Sequence, residues 1–530
     1  MKYLCFLVVT MSVLIDICTA NELVVHPFEI EAELTPATAI DIAVLNRLKQ
    51  LEIKPARICS DSVFLRRAYL DVIGTLPTVR ESNQFLRDTN PEKRGTLIDQ
   101  LLEREEFATY QAMKWSDLLR IKSEFPINLW PNAAQTYHHW IYESIRQNKP
   151  YDRLAYEMIT ASGSNFRTSP VNFYRAIQSK EPAAIVRAVA LTFMGSRTES
   201  WKQEQIDGML PFFSYIGFKS TKEWKEEIVF FDSVKATTNS LKNAVFPDGT
   251  PAQLSAKRDP REDFANWLIN RENPWFARNI VNRICYWLLG RGIIHEPDDI
   301  RSDNPPENPE LLALLEKELV DSNYDLKHIY RTILNSKTYQ LSFIPADDNP
   351  DAVSNFACHP LRRLDAEVLI DALCQLTGTK ESYSSKIPEP FTFIPDDQRS
   401  IALPDGSITS PFLDMFGRPS RDTGLSSERN GDPSSEQLLH MRNSSHVWTK
   451  LIKSGRIRNL LRPKKKRNAS GNRMRGTVSN IYLTVLSRKP TDRESAILRA
   501  YMQSDETSGR DALLDLIWAL INSAEFLYQH

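Results

Sequence analysis

Apolar residues in this chain recur mostly at intervals of three and four. Leu97, Ile98, Leu101 and Leu102, and then Trp115, Leu118 and Leu119, fall on one face of a helix with 3.6 residues per turn. Residues 183–194 (AAIVRAVALTFM), apolar apart from Arg187 and Thr192, predict a buried helix. Asp259-Pro260-Arg261-Glu262 predicts a helix start: Asp caps, Pro occupies the first turn, and Glu follows three residues after the cap. The pattern continues through Phe264, Trp267 and Leu268, through 275–289, and again over 311–319, 326–334 and 361–376. Strand signals are scarce, and 228–231 (IVFF), bounded by charges, is the best of them. The expected fold is therefore mainly α and multi-helical, with a small strand and loop region in the middle. Residues 232–257, with a Pro-Asp-Gly turn at 247–249, read as a linker between an N-terminal helical domain at 40–231 and a C-terminal one at 258–530. Residues 21–39 form a lead segment, and the Pro-, Ser- and Asp-rich stretch 382–409 reads as an ordered loop.

The two ends of the chain repeat each other. Residues 69–82 read YLDVIGTLPTVRES and residues 482–495 read YLTVLSRKPTDRES. Each copy then runs into a helical stretch closing on Glu-Phe, LIDQLLEREEF at 97–107 and LIWALINSAEF at 516–526, with a partial echo, TILNSKTY, at 332–339. Thr78-x-x-Glu81 and Thr491-x-x-Glu494 have the spacing of capping boxes. The repeat predicts two matching helical hairpins, a packing unit rather than a row of reactive groups.

Composition narrows the class. The 530 residues are 42% hydrophobic and 25% charged, which is ordinary for a globular protein, and the net charge of −1 gives no footprint for nucleic acid. Residues 1–20 (MKYLCFLVVTMSVLIDICTA) combine Lys2, a short apolar run and small residues before Asn21, the pattern of a cleaved secretory signal. The expected location is outside the cytoplasmic membrane, periplasmic or at the cell surface, with no membrane span left after cleavage. Cys5 and Cys18 would leave with that signal. Cys59, Cys285, Cys358 and Cys374 would remain, none in C-x-x-C spacing, with disulfides and buried free thiols both open. Residues 450–475 carry eleven Lys and Arg without one acid. This block reads as a solvated basic loop, or else as a contact for an anionic glycan, an acidic protein or a membrane surface.

Longer stretches carry a family resemblance. PEKRGTLIDQLLEREEFATYQAMKWSDLLRI and NKPYDRLAYEMITASGSNFR resemble the planctomycete cytochrome-associated domain of unknown function (DUF1549). NPWFARNIVNRICYWLLGRGIIHEPDDIRSDNPPENPELL, PLRRLDAEVLIDAL and FGRPSRD resemble its usual partner, the planctomycete-specific domain of unknown function (DUF1553). The resemblance covers most of the chain from about residue 40 onward and implies export, but no activity. Family members typically carry a C-x-x-C-H-like segment where this chain reads Ser196–Gln205 (SRTESWKQEQ), and a Cys-Glu-Cys-Glu-Arg element where it reads Leu425-Ser426-Ser427-Glu428-Arg429. With both thiol pairs absent, no haem or other cofactor is expected. Their joint absence also predicts that the loop at 417–430 packs close to residues 196–201.

That loop is the main candidate for chemistry. Arg418, Arg421, Asp422, Glu428 and Arg429 stand within twelve residues, and guanidinium forks suit carboxylates, phosphates and sulfates. The choices are a ligand-binding loop or an Arg–carboxylate network that pins the loop to the helices. His295, Asp298, Asp299 and Asp303 offer a weaker set of metal ligands without EF-hand spacing. His138, His139 and His359 read as core or surface histidines. G-x-S-x-G, a P-loop, H-E-x-x-H and a Rossmann glycine pattern are all missing, and no catalytic residue is named. The sequence leads to an exported binding or assembly protein without haem. The alternative is a hydrolase or other enzyme acting on extracellular polysaccharide, whose two acids can lie far apart in sequence.

Overall fold

The structure, a computed structural model, describes residues 27–31, 33–238, 243–461, 470–503 and 509–530. The secretory signal read at 1–20 lies outside the described residues, as does 462–469 of the basic segment. The fold is mainly α, with a few short strands. Among the described residues no helix is long and apolar enough to cross a membrane.

The helix Asp61–Ile73 organises the molecule. Ser60 caps its start, Gly74 ends it at φ 58°, and apolar residues cover almost its whole circumference. A helix buried on all sides needs neighbours on all sides. Two arginines within it, Arg66 and Arg67, are as buried as the leucines. Their guanidinium groups reach the ends of distant segments. Arg66 donates to the carbonyls of Val485 (2.9 Å) and Phe526 (3.1 Å), and Arg67 to those of Leu341 (2.9 Å) and His530 (3.0 Å). Arg67 also donates to the carbonyl of Tyr339 (2.5 Å), so one helix satisfies carbonyl groups from the C-terminal repeat and from the partial echo.

The two full repeats adopt the same order of elements. Val79–Arg87 and Asp492–Met502 each start at a Thr whose hydroxyl accepts from the backbone N–H of a Glu, while that Glu accepts from the Thr N–H. Lys93–Leu102 and Gly509–Ile521 follow. Each unit also closes around one arginine. Arg104 pairs with Glu81 (3.0 Å) and Glu106 (2.6 Å) over the ring of Tyr69. Arg488 pairs with Glu494 (2.8 Å) and Glu525 (2.6 Å) over Tyr482. The arginines come from non-equivalent places: Arg104 aligns with Ser523, and Arg488 with Thr75. The tertiary clamp is retained although its residue has moved along the chain. Removing either cap hydroxyl, Thr78→Ala or Thr491→Ala, should lower the unfolding free energy by about 1 kcal/mol, read from urea denaturation midpoints. A loss confined to one copy would contradict the equivalence of the two units.

Packing divides elsewhere than at residues 232–257. One apolar core runs from Ile40 to Cys358, and a second from Leu364 to Leu527, joined by Leu70, Leu76, Tyr110 and Met113 from the N-terminal part. Part of the stretch expected to be a linker, 244–252, is a packed hairpin. Ala244–Val245 pairs with Pro251–Ala252 across the turn at 247–249, and Phe246 stacks between Phe212 (4.9 Å) and Trp267 (5.1 Å). Gly208 allows this approach, since a Cβ there would lie 3.0 Å from Val245. The expected strand is the middle of a three-stranded antiparallel sheet, Glu227–Phe231 between Gly163–Ser164 and Ile216–Ser220. The basic segment is not a loop throughout. Lys450 and Lys453 lie on the helix Ser445–Lys453, and Arg456 and Arg458 on Gly455–Leu460. Lys450 is buried and paired with Glu381 at 2.8 Å, so it belongs to the core face rather than to a free basic surface. Cys59, Cys285, Cys358 and Cys374 are all free thiols.

Candidate ligand cleft at the arginine-rich loop

Three elements meet at the seam between the two cores. On the helix Glu105–Leu118, Tyr110, Lys114 and Asp117 are spaced four and three residues apart and share one face. Asp365 precedes the helix Ala366–Thr377 and Glu367 lies in its first turn, where free backbone N–H groups favour acids. The third element is the loop 417–430. Gly417 and Gly424 take left-handed φ values of 79° and 78°. A Cβ on them would meet the Asn430 carbonyl oxygen at 2.1 Å and the Leu118 carbonyl oxygen at 2.6 Å, so only glycine lets the loop close and lie flush on the helix.

Arg429 sits between three carboxylates. It donates to Asp117 (2.6 Å) and Glu367 (2.8 Å) and lies 3.4 Å from Asp365. Arg421, fully buried, donates to Asp117 at 2.8 Å. Arg418 lies 3.5 Å from Glu367 and donates to the carbonyls of Ile408 and Asp405. The loop's own acids face other ways. Asp422 accepts from Lys122 at 2.7 Å, and Glu428 folds back to accept from the backbone N–H groups of Asp422 (3.1 Å) and Thr423. Four of the five candidate residues therefore fasten the loop. Only Arg429 reaches the cleft that the loop roofs.

That cleft encloses about 400 Å³. Its charged lining is Asp71, Lys114, Asp117, Arg283, Arg362, Arg363, Asp365, Arg429 and Asp432, with Tyr110 and Tyr286. Most of these charges are committed. Arg363 donates to the carbonyls of Phe416 and Asn430, both at 2.7 Å, and Arg362 to Trp287 (3.0 Å) and Asp71 (3.1 Å). Arg283 joins Asp298 at 2.8 Å and the Ser426 hydroxyl at 3.1 Å. Lys114 is the exception. Its ion pair, to Asp365, is loose at 3.9 Å, and its ammonium lies 4.7 Å over the Tyr110 ring. Arg283, Arg362 and Arg363 each also keep a buried Nε without a hydrogen-bond partner.

Burial and pairing set the protonation states. Burial would raise the Asp365 carboxyl, but Arg429, then Lys114 and Arg362, outweigh it and hold it below the usual range. Burial would lower the Arg429 guanidinium, and Asp365, Glu367 and Asp117 reverse this and raise it well above. Asp71 is raised by burial despite Arg362. Lys114 is lowered, burial outweighing the pull of Asp365. Arg418 falls to about 10 through burial and the charge of Arg421.

The loop is linked to residues 196–201 through Arg283 and residues 298–300 that stand between them. A Cβ on Gly195 would lie 2.6 Å from Asn279 Oδ1, which accepts from Arg283 at 3.5 Å, and Arg283 in turn donates to Ser426. Ser196 donates to the Ile300 carbonyl at 3.0 Å and accepts from the Trp201 indole at 2.9 Å, two residues along from Asp298. The weaker metal candidates do not converge. Asp298 is turned inward and accepts from Arg283 and the Ser426 N–H (2.6 Å), while Asp299 and Asp303 share Arg301, both at 3.1 Å. Among the described residues no group of three His, Cys, Asp or Glu is placed to hold a metal ion. His138 is lowered to about 3 by burial and then by Arg421, His139 is exposed, and His359 is buried in the core. Lys114, Tyr110 and Asp71 were not singled out from sequence. Their one signal is a Lys and an Asp three residues apart on a face otherwise apolar, at Lys114 and Asp117.

Two family models match the chain: Protein of unknown function (DUF1549) over residues 39–206 and Protein of unknown function (DUF1553) over residues 260–502. No curated protein and no solved structure matches it. The cleft draws Asp71, Tyr110, Lys114 and Asp117 from the first matched segment and Arg283 to Asp432 from the second, so it lies on their seam. The chain belongs to the proteins in which a DUF1549 domain is followed by a DUF1553 domain.

Proposed function

We propose that the chain is an exported binding protein that takes an anionic, acceptor-rich ligand in the seam cleft. The observation that carries this is Lys114, a half-buried ammonium with one loose ion pair in a cleft where most of the other charges are committed to partners. A cation of this kind gains most from a ligand carboxylate or sulfate. The buried Nε groups of Arg283, Arg362 and Arg363 add donors without acceptors. Lys453 and Arg458, exposed beside the cleft's own domain, supply basic surface for an anionic glycan, acidic protein or membrane surface. Export rests on the leader pattern at 1–20.

Calorimetric titration with sodium oligogalacturonate tests the proposal. Lys114→Met keeps the aliphatic stem over Tyr110 and removes the charge. It should weaken binding about tenfold, the worth of one charge-assisted contact, at unchanged melting temperature. Equal affinity in the variant, or equal binding of a neutral oligosaccharide, would refute an anion site at Lys114. The second reading, a polysaccharide hydrolase, is favoured by one observation: the same cleft holds two carboxyl groups pushed apart, Asp71 raised by burial and Asp365 held below the usual range by Arg429. It requires release of reducing ends that Asp71→Asn abolishes.

A further inference from the structure

A second surface, remote from the logic of the cleft, collects bulky rings that face solvent. Phe125 is 80% exposed, Trp224 69%, Phe393 67% and Phe391 46%. Isolated exposed apolar residues are common, but four aromatics on one face are not. They come from three loops. Phe125 stands on the loop 120–130, closed at its base by Leu129 N–H to the Lys122 carbonyl and Trp130 N–H to the Ser123 carbonyl, both at 3.2 Å. Trp224 is at the tip of the hairpin joining Ile216–Ser220 to Glu227–Phe231. Phe391 and Phe393 flank the buried Thr392 on a turn in which the Phe391 and Thr392 N–H groups donate to the Pro388 carbonyl (3.1 and 3.3 Å), and both rings face outward.

The three tips are neighbours. Trp130 meets Phe391 at 5.3 Å, Lys225 places its ammonium 5.6 Å from Trp130 and 5.3 Å from Trp224, and Lys386 lies 3.7 Å from Glu124. The first loop is also held from below, since the Ser123 N–H donates to Asp405 at 2.9 Å and the Glu124 N–H to Ser407 at 3.0 Å. Anchored in this way, the rings cannot fold back onto the core, and their exposure is built in.

We infer that this face docks on a phospholipid bilayer, with Phe125, Trp224, Phe391 and Phe393 entering the headgroup region. Three properties favour that occupant. Phe391 and its neighbour Trp130 are inclined by 60°, so this pair offers no flat platform for a pyranose. The exposed rings sit on separate projecting tips, and a fluid interface adapts to such tips where a rigid partner would need a matching pocket for each. Aromatic rings with lysines among them are the composition of the membrane–water boundary, where rings lie at headgroup level and ammonium groups reach the phosphates. Lys222, Lys225 and Lys386 are exposed here, but so are Glu223 and Glu389. Ring insertion rather than net charge must then dominate, which sets this face apart from the basic segment at 450–475.

The test is co-sedimentation of the purified full chain with vesicles of phosphatidylethanolamine and phosphatidylglycerol. The triple variant Phe125→Ser, Trp224→Ser, Phe393→Ser is compared in the same background, so any contribution from residues 1–20 is common to both. Vesicle partitioning should fall at least about tenfold in the variant, and wild-type partitioning should persist at about 0.5 M salt, where exposed charges are screened. Because all three rings are exposed, the melting temperature should not move. If it does, the single variant Trp224→Ser and quenching of wild-type tryptophan emission by brominated lipid carry the decision. Equal partitioning of wild type and variant, no quenching, or loss of wild-type binding in salt would overturn the inference. So would a variant that keeps vesicle binding but loses retention on an insoluble polysaccharide.

Discussion

Arg429→Ala should destabilise the chain by about 3–5 kcal/mol, the largest effect expected of any single substitution in the arginine-rich loop. Arg429 is the one cation shared by Asp117, Asp365 and Glu367. Arg421 and Arg418 would still face Asp117 and Glu367, but Asp365 would be left with Lys114 at 3.9 Å and the Tyr110 hydroxyl at 3.3 Å. A buried carboxylate stripped of its partner costs more than the pair contributed, because its desolvation is no longer offset. Arg429→Lys should recover only part of the loss, since one ammonium cannot reach three acids as a planar fork does. Asp365→Asn placed on top of Arg429→Ala should restore stability, because it removes the charge that Arg429 compensates. Urea denaturation midpoints at constant slope measure all three. If Arg429→Ala costs less than about 1 kcal/mol, as surface pairs do, the network is not what holds the loop.

The same loop marks where sequence reasoning carried and where it stopped. Its residues were legible because Arg, Asp and Glu at such density must find partners if they are buried. Two paired absences pointed it toward residues 196–201, and residues 298–300 stand between the two segments. Which arginine would face the cleft was not legible, because Arg418, Arg421 and Arg429 are chemically alike and differ only in how Gly417 and Gly424 fold the loop beneath them. Lys114 was missed for a related reason. On its helix it reads as one more polar residue, and only the approach of Asp365 from 251 positions further on makes it a half-buried charge. The capping boxes at Thr78 and Thr491 were visible because they are local. The clamps around Tyr69 and Tyr482 were not, since equivalent arginines sit at non-equivalent positions. The hairpin within 232–257 has the same root. A Pro-Asp-Gly turn ends a helix whether it opens a linker or a hairpin, and the stacking of Phe246 between Phe212 and Trp267 decides for the hairpin.

Acidification should unfold the chain well before its paired carboxylates titrate. His359 is buried with both ring nitrogens unpartnered, edge-on to Tyr339 at 6.0 Å. His530 is packed between Phe343 (5.2 Å) and Phe28 (5.7 Å). Burial lowers both imidazoles and nearby cations lower them further: Arg67, Arg362 and His530 act on His359, while Arg66, Arg67 and Arg488 act on His530, which falls to about 3. In the unfolded chain both titrate near 6.5. Above that pH neither state binds the protons, and stability does not depend on them. Below it the unfolded state binds protons that the folded state refuses, so stability falls, by about 1.4 kcal/mol per pH unit for each ring. At pH 5 the two together should cost about 4 kcal/mol. Asp365, held below its usual range, contributes stability that is lost only when the pH falls further, through its lowered folded value. Asp71 and Asp371 are raised by burial and work in the opposite sense, taking up protons in the folded state first. The variant comparison is therefore the readout, not the raw slope. His359→Phe with His530→Gln should make the fall in melting temperature between pH 6.5 and 5 shallower, while His138, also lowered to about 3, keeps its own share, whatever the variant does to stability at pH 7.5. A double variant that loses stability over that interval as steeply as wild type would show that other groups take up the protons, and that the arginines on the central helix do not set the acid limit of the fold.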